Sequence, residues 1–415
     1  MADDAAYLTG LAQVLWPGGG RFERGGETSR PLGARALGPD DDEGGFRAYL
    51  PVPSAHHPRV ILPADDRFTA ARGISAFAQR HSARARLRAA LLTTAFASGL
   101  APMLLRDRLH VATAHSIEQA LSSALDREVV IAIHIGPPRA NRKPVLLLLT
   151  PGGRTVGYAK IGVNALTSRL VRAETRALRR ISGARMRDVT VPRLLHTQEW
   201  NGGPLLVQEA LPVGDQTDRP TRRQLLRCVV QISELAPVVH LPLSGSPYRQ
   251  ALAERIDVLG DRPEVPALRA ALERLPDVRL PFGAWHGDLT RWNVAGTARR
   301  AFVWDWERLE FGVPIGFDAL HYELNECVQS GVHPGVRRWL DSGARLLRDP
   351  LLVAAGLAPG TASTVMALYL VDLATRYLHD RQDEAGGFLA AVDDWLLPAL
   401  AGLGHRAAHT SRSPA

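Results

Sequence analysis

Between residues 129 and 209 the apolar positions fall into short blocks closed off by glycine, proline and asparagine, each too short for a helix. Blocks at 129–135, 145–150 and 155–161 read as strands, the last two joined through Pro151-Gly152-Gly153 as a hairpin turn. A helical pattern follows at 168–182, and strands at 193–197 and 205–209 flank the turn Asn201-Gly202-Gly203. Three strands, a helix and two strands predict an antiparallel sheet carrying one helix. Beyond Pro220 the apolar spacing lengthens to three and four, the period of amphipathic helices, at 221–235, 248–259, 265–275, 317–328, 335–347, 361–381 and 388–403. Short strand-like pieces at 284–286, 294–296 and 301–304 interrupt that run.

The first 110 residues have a different texture. Glycine clusters at 18–20, 25–26 and 44–45 and the acidic run Asp40-Asp41-Asp42-Glu43 mark loops. Short strands are expected at 46–50 and 59–62 and an Ala- and Arg-rich helix at 68–96. Ser116 and Gln119 have capping-box spacing and open a short helix that ends near Leu125. No internal repeat is visible. The expected division is an N-terminal extension of unassigned role at 1–110, a sheet domain at 111–212, a helical domain at 213–403, and a Ser-, Pro- and Ala-rich disordered tail at 404–415.

A chain of 415 residues, 46% hydrophobic and 22% charged, is long enough for two or three units with sizeable cores. Cys228 and Cys327 stand far apart with no metal-ligand spacing, so neither a disulfide framework nor a zinc site is expected. A reducing cytoplasm suits them, and the start Met1-Ala2-Asp3-Asp4 lacks the basic and apolar runs of a signal peptide. The weakly apolar run 89–105 contains Thr93, Thr94, Ser98, Gly99 and Pro102 and falls short of a membrane span, so no stable insertion is expected. The net charge of +8 is uneven, with 28 basic and 18 acidic residues in 1–214 against 22 and 24 in 215–415. No nucleic-acid-binding motif accompanies the basic half, which reads as a solvated Arg-rich surface, and no nucleic-acid partner is expected.

The chemistry concentrates in His286-Gly287-Asp288-Leu289-Thr290-Arg291-Trp292-Asn293 and in Val303-Trp304-Asp305-Trp306-Glu307. A carboxylate, an amide five residues on, and a second carboxylate leaving a new strand suit phosphoryl transfer. That reaction needs a group to orient the attacking oxygen and hard oxygen ligands for Mg²⁺ beside a triphosphate. Upstream, Lys160 ends a strand and Glu174 lies on the helix after it.

In that order these residues resemble the aminoglycoside phosphotransferase and choline kinase family of the protein-kinase-like fold, which has His-Gly-Asp-x-x-x-x-Asn and Asp-x-Glu at the corresponding places. Gly316-Phe317-Asp318-Ala319-Leu320 is similar to the family's segment in which an Asp opens a helix after the metal strand. The resemblance spans about 110–400. It implies an α+β, two-lobed protein-kinase-like fold, with a small antiparallel sheet lobe carrying one helix, a large mainly helical lobe, and an extra N-terminal region. It implies an ATP-dependent, Mg²⁺-requiring phosphotransferase with an alcohol group as acceptor: the hydroxyl of an aminoglycoside, amino sugar or other sugar or alcohol. Asp288 would be the catalytic base or orienting group, and Asn293 and Asp305 the metal ligands. Lys160 would contact phosphates with Glu174 as its partner, and Glu209 and Leu211 would meet the adenine through main-chain groups. His286 is read as bracing the loop more than taking part in chemistry, and Glu307 as either supporting the metal or shaping the loop.

The loop Gly136-Pro137-Pro138-Arg139-Ala140-Asn141-Arg142-Lys143-Pro144 departs from the family's glycine-rich phosphate cover, since proline has no N–H to offer. Arg139 and Arg142, with Lys143, either replace those donors with side-chain charge or are solvated loop cations. Gly287 stands where protein kinases place an arginine, which points to a small-molecule acceptor and a constitutively active enzyme. Asp305, Glu307, Glu310, Asp318, Glu323 and Glu326 face one nearby base in sequence, Arg308, which reads either as a local field that favours a cationic or amino-sugar acceptor or, for some of these acids, as solvated helix faces. The competing reading is a catalytically silent, kinase-like nucleotide-binding protein associated with polysaccharide or natural-product biosynthesis.

Overall fold

The computed structural model describes residues 3–24, 27–32, 45–77, 83–100, 105–184, 186–213, 219–297, 299–328, 331–382 and 392–402. The chain divides into two compact units, the first made of 1–137, 142–172 and 193–210 and the second of 138–141, 173–192 and 211–415. The fold is α+β, with a large antiparallel sheet in the first unit and mainly helices in the second.

The first unit runs α1 (Asp3–Leu15), β1 (Gly20–Arg24), β2 (Glu27–Leu32), β3 (Phe46–Val52), β4 (Val60–Pro63), α2 (Arg67–Phe77), α3 (Ala83–Ala97), β5 (Arg108–Ala112), α4 (Ile117–Leu125), β6 (Val130–Ile135), β7 (Pro144–Leu149) and β8 (Thr155–Ile161). Helix α5 (Ala165–Ile181) passes from the first unit into the second, where β9 (Val189–Thr190) lies, and β10 (Leu194–Trp200) and β11 (Gly203–Glu209) return to the first. These strands form one sheet of order β10-β11-β8-β7-β6-β4-β3-β5-β1-β2, antiparallel throughout. The expected five-stranded sheet is therefore half of a longer one, which the strands expected at 46–50 and 59–62 join as β3 and β4, with Val60 and Ile61 of β4 pairing with His134 and Ile133.

Alternation along the strands explains why the sheet is covered on both faces. Ile131, Ile133, Leu146 and Leu148 enter one core with Leu8, Leu11, Leu15 and Trp16 from α1 and its C-terminal end and with Ile117 and Leu121 of α4. Ala132, Leu147 and Leu149, the intervening residues, enter the other core with Ala70, Ala71 and Ile74 of α2 and Phe96 of α3. Gly73 lets α2 lie close to the sheet, because a Cβ there would meet Leu62 and Ala132 side chains at 2.7 and 2.8 Å. Helix α4 begins as its spacing predicts: Ser116 accepts from the Gln119 N–H at 3.2 Å, while Gln119 Oε1 caps the His115 N–H at 2.9 Å.

The second unit is built from α6 (Arg222–Ser233), β12 (Val239–Pro242), α7 (Pro247–Asp257), α8 (Val265–Glu273), β13 (Arg279–Trp285), β14 (Val294–Gly296), β15 (Ala301–Val303), β16 (Glu310–Pro314), α9 (Phe317–Val328), α10 (Val332–Leu346), α11 (Pro350–Ala354) and α12 (Ala362–His379). Two small sheets, β12-β13-β16 and β14-β15-β9, hold the motif region between the helices. Helix α12 is buried on nearly every side, from Val365 and Met366 to Leu373 and Ala374, as its almost wholly apolar sequence requires. The helix expected at 68–96 is two helices, and residues 78–82 between them lie outside the described residues. The expected tail at 404–415 also lies outside the described residues, as do 388–391 and 403 of the last expected helix. Among the described residues no helix is long and apolar enough to cross a membrane.

Candidate active site

Strand β13 ends at Trp285, and the loop 286–293 leads into β14. Helix α9 grips the start of that loop: Asp318 accepts from the main-chain N–H of His286 at 2.7 Å and of Gly287 at 3.1 Å. From α12, Arg376 donates to the carbonyl of Gly287. Gly287 has φ +82°, and a Cβ there would sit 2.4 Å from the carbonyl oxygen of Arg308. The absence of the kinase arginine at this position thus has a local cause in backbone geometry.

His286 is fully buried and bridges the two motif segments. Its Nε2–H donates to the carbonyl of Trp304 at 3.0 Å, and its Nδ1 accepts from the main-chain N–H of Asp288 at 3.2 Å. Both bonds call for one neutral tautomer, and burial lowers the ring's pKa to about 4. Asp318 moves the other way, raised to about 7 by burial against the two N–H bonds and the Arg376 charge that favour its anion.

Asp288 is held at both carboxylate oxygens. Oδ1 lies 3.1 Å from Nε2 of His321, three residues along α9 from Asp318. Oδ2 accepts from Nδ2 of Asn293 at 2.9 Å, and the same amide donates to the carbonyl of Asp288 at 2.8 Å. Burial works to raise this carboxyl, but the His321 hydrogen bond together with the His321 and Arg376 charges outweighs it, and the net shift is below the ordinary carboxylate value. The side chain is still 38% exposed.

Asp305 follows β15 in a left-handed conformation, φ +69°, unusual for a residue with a side chain. Its carboxylate lies with those of Glu174 and Glu307, the oxygens all within 4.8 Å of one another. Three clustered hard oxygen donors suit a divalent cation. Asn293, whose amide protons both go to Asp288, keeps Oδ1 as its remaining ligand atom. Glu174 thus lies with the carboxylates of Asp305 and Glu307, and it is fully buried there.

The expected nucleotide residues lie on several elements. Lys160, 4% exposed, sits on β8 between Val145 of β7 and Leu206 of β11. Glu209 ends β11, its carboxylate paired with Arg193 at 2.9 Å and its N–H donating to the Arg193 carbonyl at 2.8 Å. The Leu211 carbonyl accepts from Val213 at 2.7 Å. Arg142 is buried with its guanidinium 4.0 Å above the ring of Tyr7, so it is packed and not a solvated loop cation. The positive charge of Arg139 acts on Tyr377.

The local field differs from the sequence reading. Arg308 is occupied by Asp380, but helices distant in sequence bring other bases. Arg219 and Arg291 lie 2.8 and 3.6 Å from Glu326, Arg255 lies 2.7 Å from Asp372 and acts on Glu310, and Arg376 lies beside Gly287. Of the six acids, Glu326 is paired with bases and Glu310 feels the Arg255 charge, while Arg308 and Arg255 are themselves paired with Asp380 and Asp372 and Asp305 and Glu307 gather a further carboxylate, Glu174. Sequence reasoning also missed His321, Tyr369 and Arg376. Their signal was helical spacing: His321 shares a face with Asp318, and Arg376 is two turns beyond Tyr369.

The phosphotransferase enzyme family model matches residues 153–352, which span β8, Glu174, the loop 286–293 and α9. Residues 153–352 belong to the phosphotransferase enzyme family. No curated protein sequence matches the chain significantly. Among solved structures, the chain is similar to an aminoglycoside phosphotransferase in ternary complex with ADP and hygromycin B, at 14% identity over 70% of this chain and 98% of that one, TM-score 0.43. It is also similar to a choline/ethanolamine kinase family protein from Mesorhizobium loti (15% identity, 68% and 88% coverage, TM-score 0.36) and to a Plasmodium vivax ethanolamine kinase (10%, 68% and 83%, TM-score 0.40).

Proposed function

We propose that the chain is a Mg²⁺- and ATP-dependent kinase that phosphorylates a hydroxyl of a small molecule, a sugar, amino sugar or related alcohol. The observation that supports this most is the pairing of Asp288, fixed at both oxygens, with the carboxylate cluster of Asp305, Glu307 and Glu174, whose Asp305 charge acts on Asp288. In this reading Asp288 orients the acceptor hydroxyl and receives its proton as the oxygen attacks. A carboxylate with lowered basicity does this late in the reaction, which suits the loose transition state of phosphoryl transfer. Asp305 and the Asn293 oxygen ligate the metal, with Glu307 and Glu174 completing or bracing its oxygen surround. When bound, Mg·ATP supplies the phosphoryl group and the charge these carboxylates offset. Lys160, Arg139 and Arg142 serve the phosphates, and the main chain at Glu209 and Leu211 meets the base. Residues 111–212 then form the nucleotide-binding domain and 213–403 the catalytic and acceptor domain. Two free cysteines suit a cytoplasmic setting.

The test is Mg²⁺-dependent ATP consumption across a panel of aminoglycosides, choline-like amines, sugars and nucleosides, with Asp288→Asn as the blank. Turnover with at least one acceptor that the blank lacks is expected. Mg·ATP binding without consumption on any acceptor would overturn the assignment.

A further inference from the structure

We propose that His321 is a positioning residue for Asp288, locked in one tautomer by Tyr369, and that the pair sets which carboxylate lone pair meets the acceptor hydroxyl. The inference rests on the kinase reading above and adds to it a helix-borne support for the reactive carboxylate.

The hydrogen-bond chain has one direction. Tyr369 lies 2.8 Å from Nδ1 of His321 and is fully buried, and burial holds its hydroxyl well above the ordinary tyrosine pKa, so it remains a protonated donor. The Asp288 carboxylate can only accept, which places the imidazole proton on Nε2, 3.1 Å away, and leaves Nδ1 of a neutral ring to accept from the Tyr369 hydroxyl. Burial lowers the pKa of His321, and the neighbouring Arg376 and Arg308 charges act in the same sense against the pull of Asp288, so a neutral ring fits the site. His321 is 2% exposed.

Asn293 alone would leave the carboxylate free to turn about its last bond, since both its contacts come from the same short loop. A second donor on the other oxygen, from α9, fixes the carboxylate plane. Asp318 on the same helical face holds the main chain of His286 and Gly287, so one helix sets both the path of the loop and the aim of its side chain. Misaim of the order of an ångström costs about 100-fold in rate.

The experiment compares wild type, His321→Ala, His321→Gln and Tyr369→Phe by steady-state kinetics, with thermal melts to confirm folding and ¹⁵N-histidine NMR to read the tautomer. His321→Ala should lower kcat about 10- to 100-fold with the KM for ATP within about twofold, and His321→Gln, which keeps a donor at the Nε2 position, should recover most of the loss. Tyr369→Phe, which removes one hydroxyl and is the variant to read should His321→Ala not fold, should lower kcat and introduce the Nδ1–H form. Unchanged kcat in His321→Ala or Tyr369→Phe overturns the proposal, as does equal loss in His321→Ala and His321→Gln with a parallel rise in the KM for ATP. Should wild type turn over no acceptor, the kinase reading falls by itself and NMR decides: a wild-type Nε2–H form lost in Tyr369→Phe sustains the lock, and an Nδ1–H wild type, or a form unchanged in Tyr369→Phe, removes it.

Discussion

Asn293 donates both protons of its side-chain amide to Asp288, one to the main-chain carbonyl at 2.8 Å and one to the carboxylate at 2.9 Å. One residue thus closes the loop 286–293 with its amide protons and keeps its own oxygen free of Asp288. Asn293→Asp removes both donors and sets a like charge against Asp288, whereas Asn293→Ala only removes the donors. We expect Asn293→Asp to lose more kcat than Asn293→Ala, with the alanine variant down about 100-fold. Side-by-side kinetics over a Mg²⁺ titration checks this, and an Asn293→Asp enzyme at wild-type rate would exclude the arrangement.

Gly287 admits no side chain. Its left-handed φ costs other residues about 1–3 kcal/mol, and the Arg308 carbonyl blocks a Cβ at 2.4 Å. Gly287→Ala should therefore lower stability by at least that conformational amount and displace the N–H that Asp318 holds. Grafting the protein-kinase residue with Gly287→Arg should be worse. Chemical denaturation of both variants provides the measurement, and an alanine variant as stable as wild type contradicts the geometry.

Two buried groups in the same loop oppose each other in acid. His286 titrates near 4 in the fold against about 6.5 unfolded, so the unfolded chain binds the extra proton between those values and stability rises with pH across that window. Asp318 titrates near 7 in the fold against about 3.9 unfolded, so the folded chain binds the extra proton and stability falls as pH rises from about 4 to 7. Each effect is on the order of 3–4 kcal/mol, and over about pH 4 to 6.5 they largely cancel. His286→Gln should remove the first and leave the second, giving a protein whose unfolding free energy declines from pH 4.5 to 6.5 more steeply than that of wild type. Urea denaturation at three pH values decides it; parallel curves for the two proteins would show that His286 is not the titrating group.

Legibility in the sequence followed the range of the interactions. The strands at 130–135, 144–149 and 155–161 and helix α9 were readable because their apolar spacing is local and their turns are marked by glycine and proline. Strand β12, Val239–Pro242, was not, since it is largely exposed and owes its form to pairing with β13 some forty residues on. Strands β1 and β2 were hidden by glycine-rich sequence. At the site, Asp288, Asn293 and Asp305 declare themselves by motif, while the charge around them does not, because Arg219, Arg255 and Arg376 arrive on helices distant in sequence. One signal was in plain view: only two of the fifty basic residues are lysines, Lys143 and Lys160. A chain that uses arginine almost everywhere else keeps lysine at a buried strand position where a compact point charge differs most from a planar fork.

The N-terminal 110 residues should be required for folding of the sheet. They supply β3, β4 and β5 and one side of its core, including Leu8, Leu11, Leu15 and Trp16. Trp16 and Tyr49 also donate to the buried carboxylate of Glu118 on α4, beyond the expected boundary. Removing residues 1–110 would leave Glu118 without these donors, uncover Ile131 and Ile133, and open the edge of β6, an exposed apolar strand edge of the kind that drives aggregation. A chain beginning at residue 111 should be insoluble or lack a cooperative melt, while the point substitution Trp16→Phe, which removes one donor to Glu118, should melt cooperatively at a lower temperature. Expression of the two alongside wild type, followed by calorimetry, tests this; a soluble truncated chain with the wild-type melting temperature would make the extension dispensable to the fold.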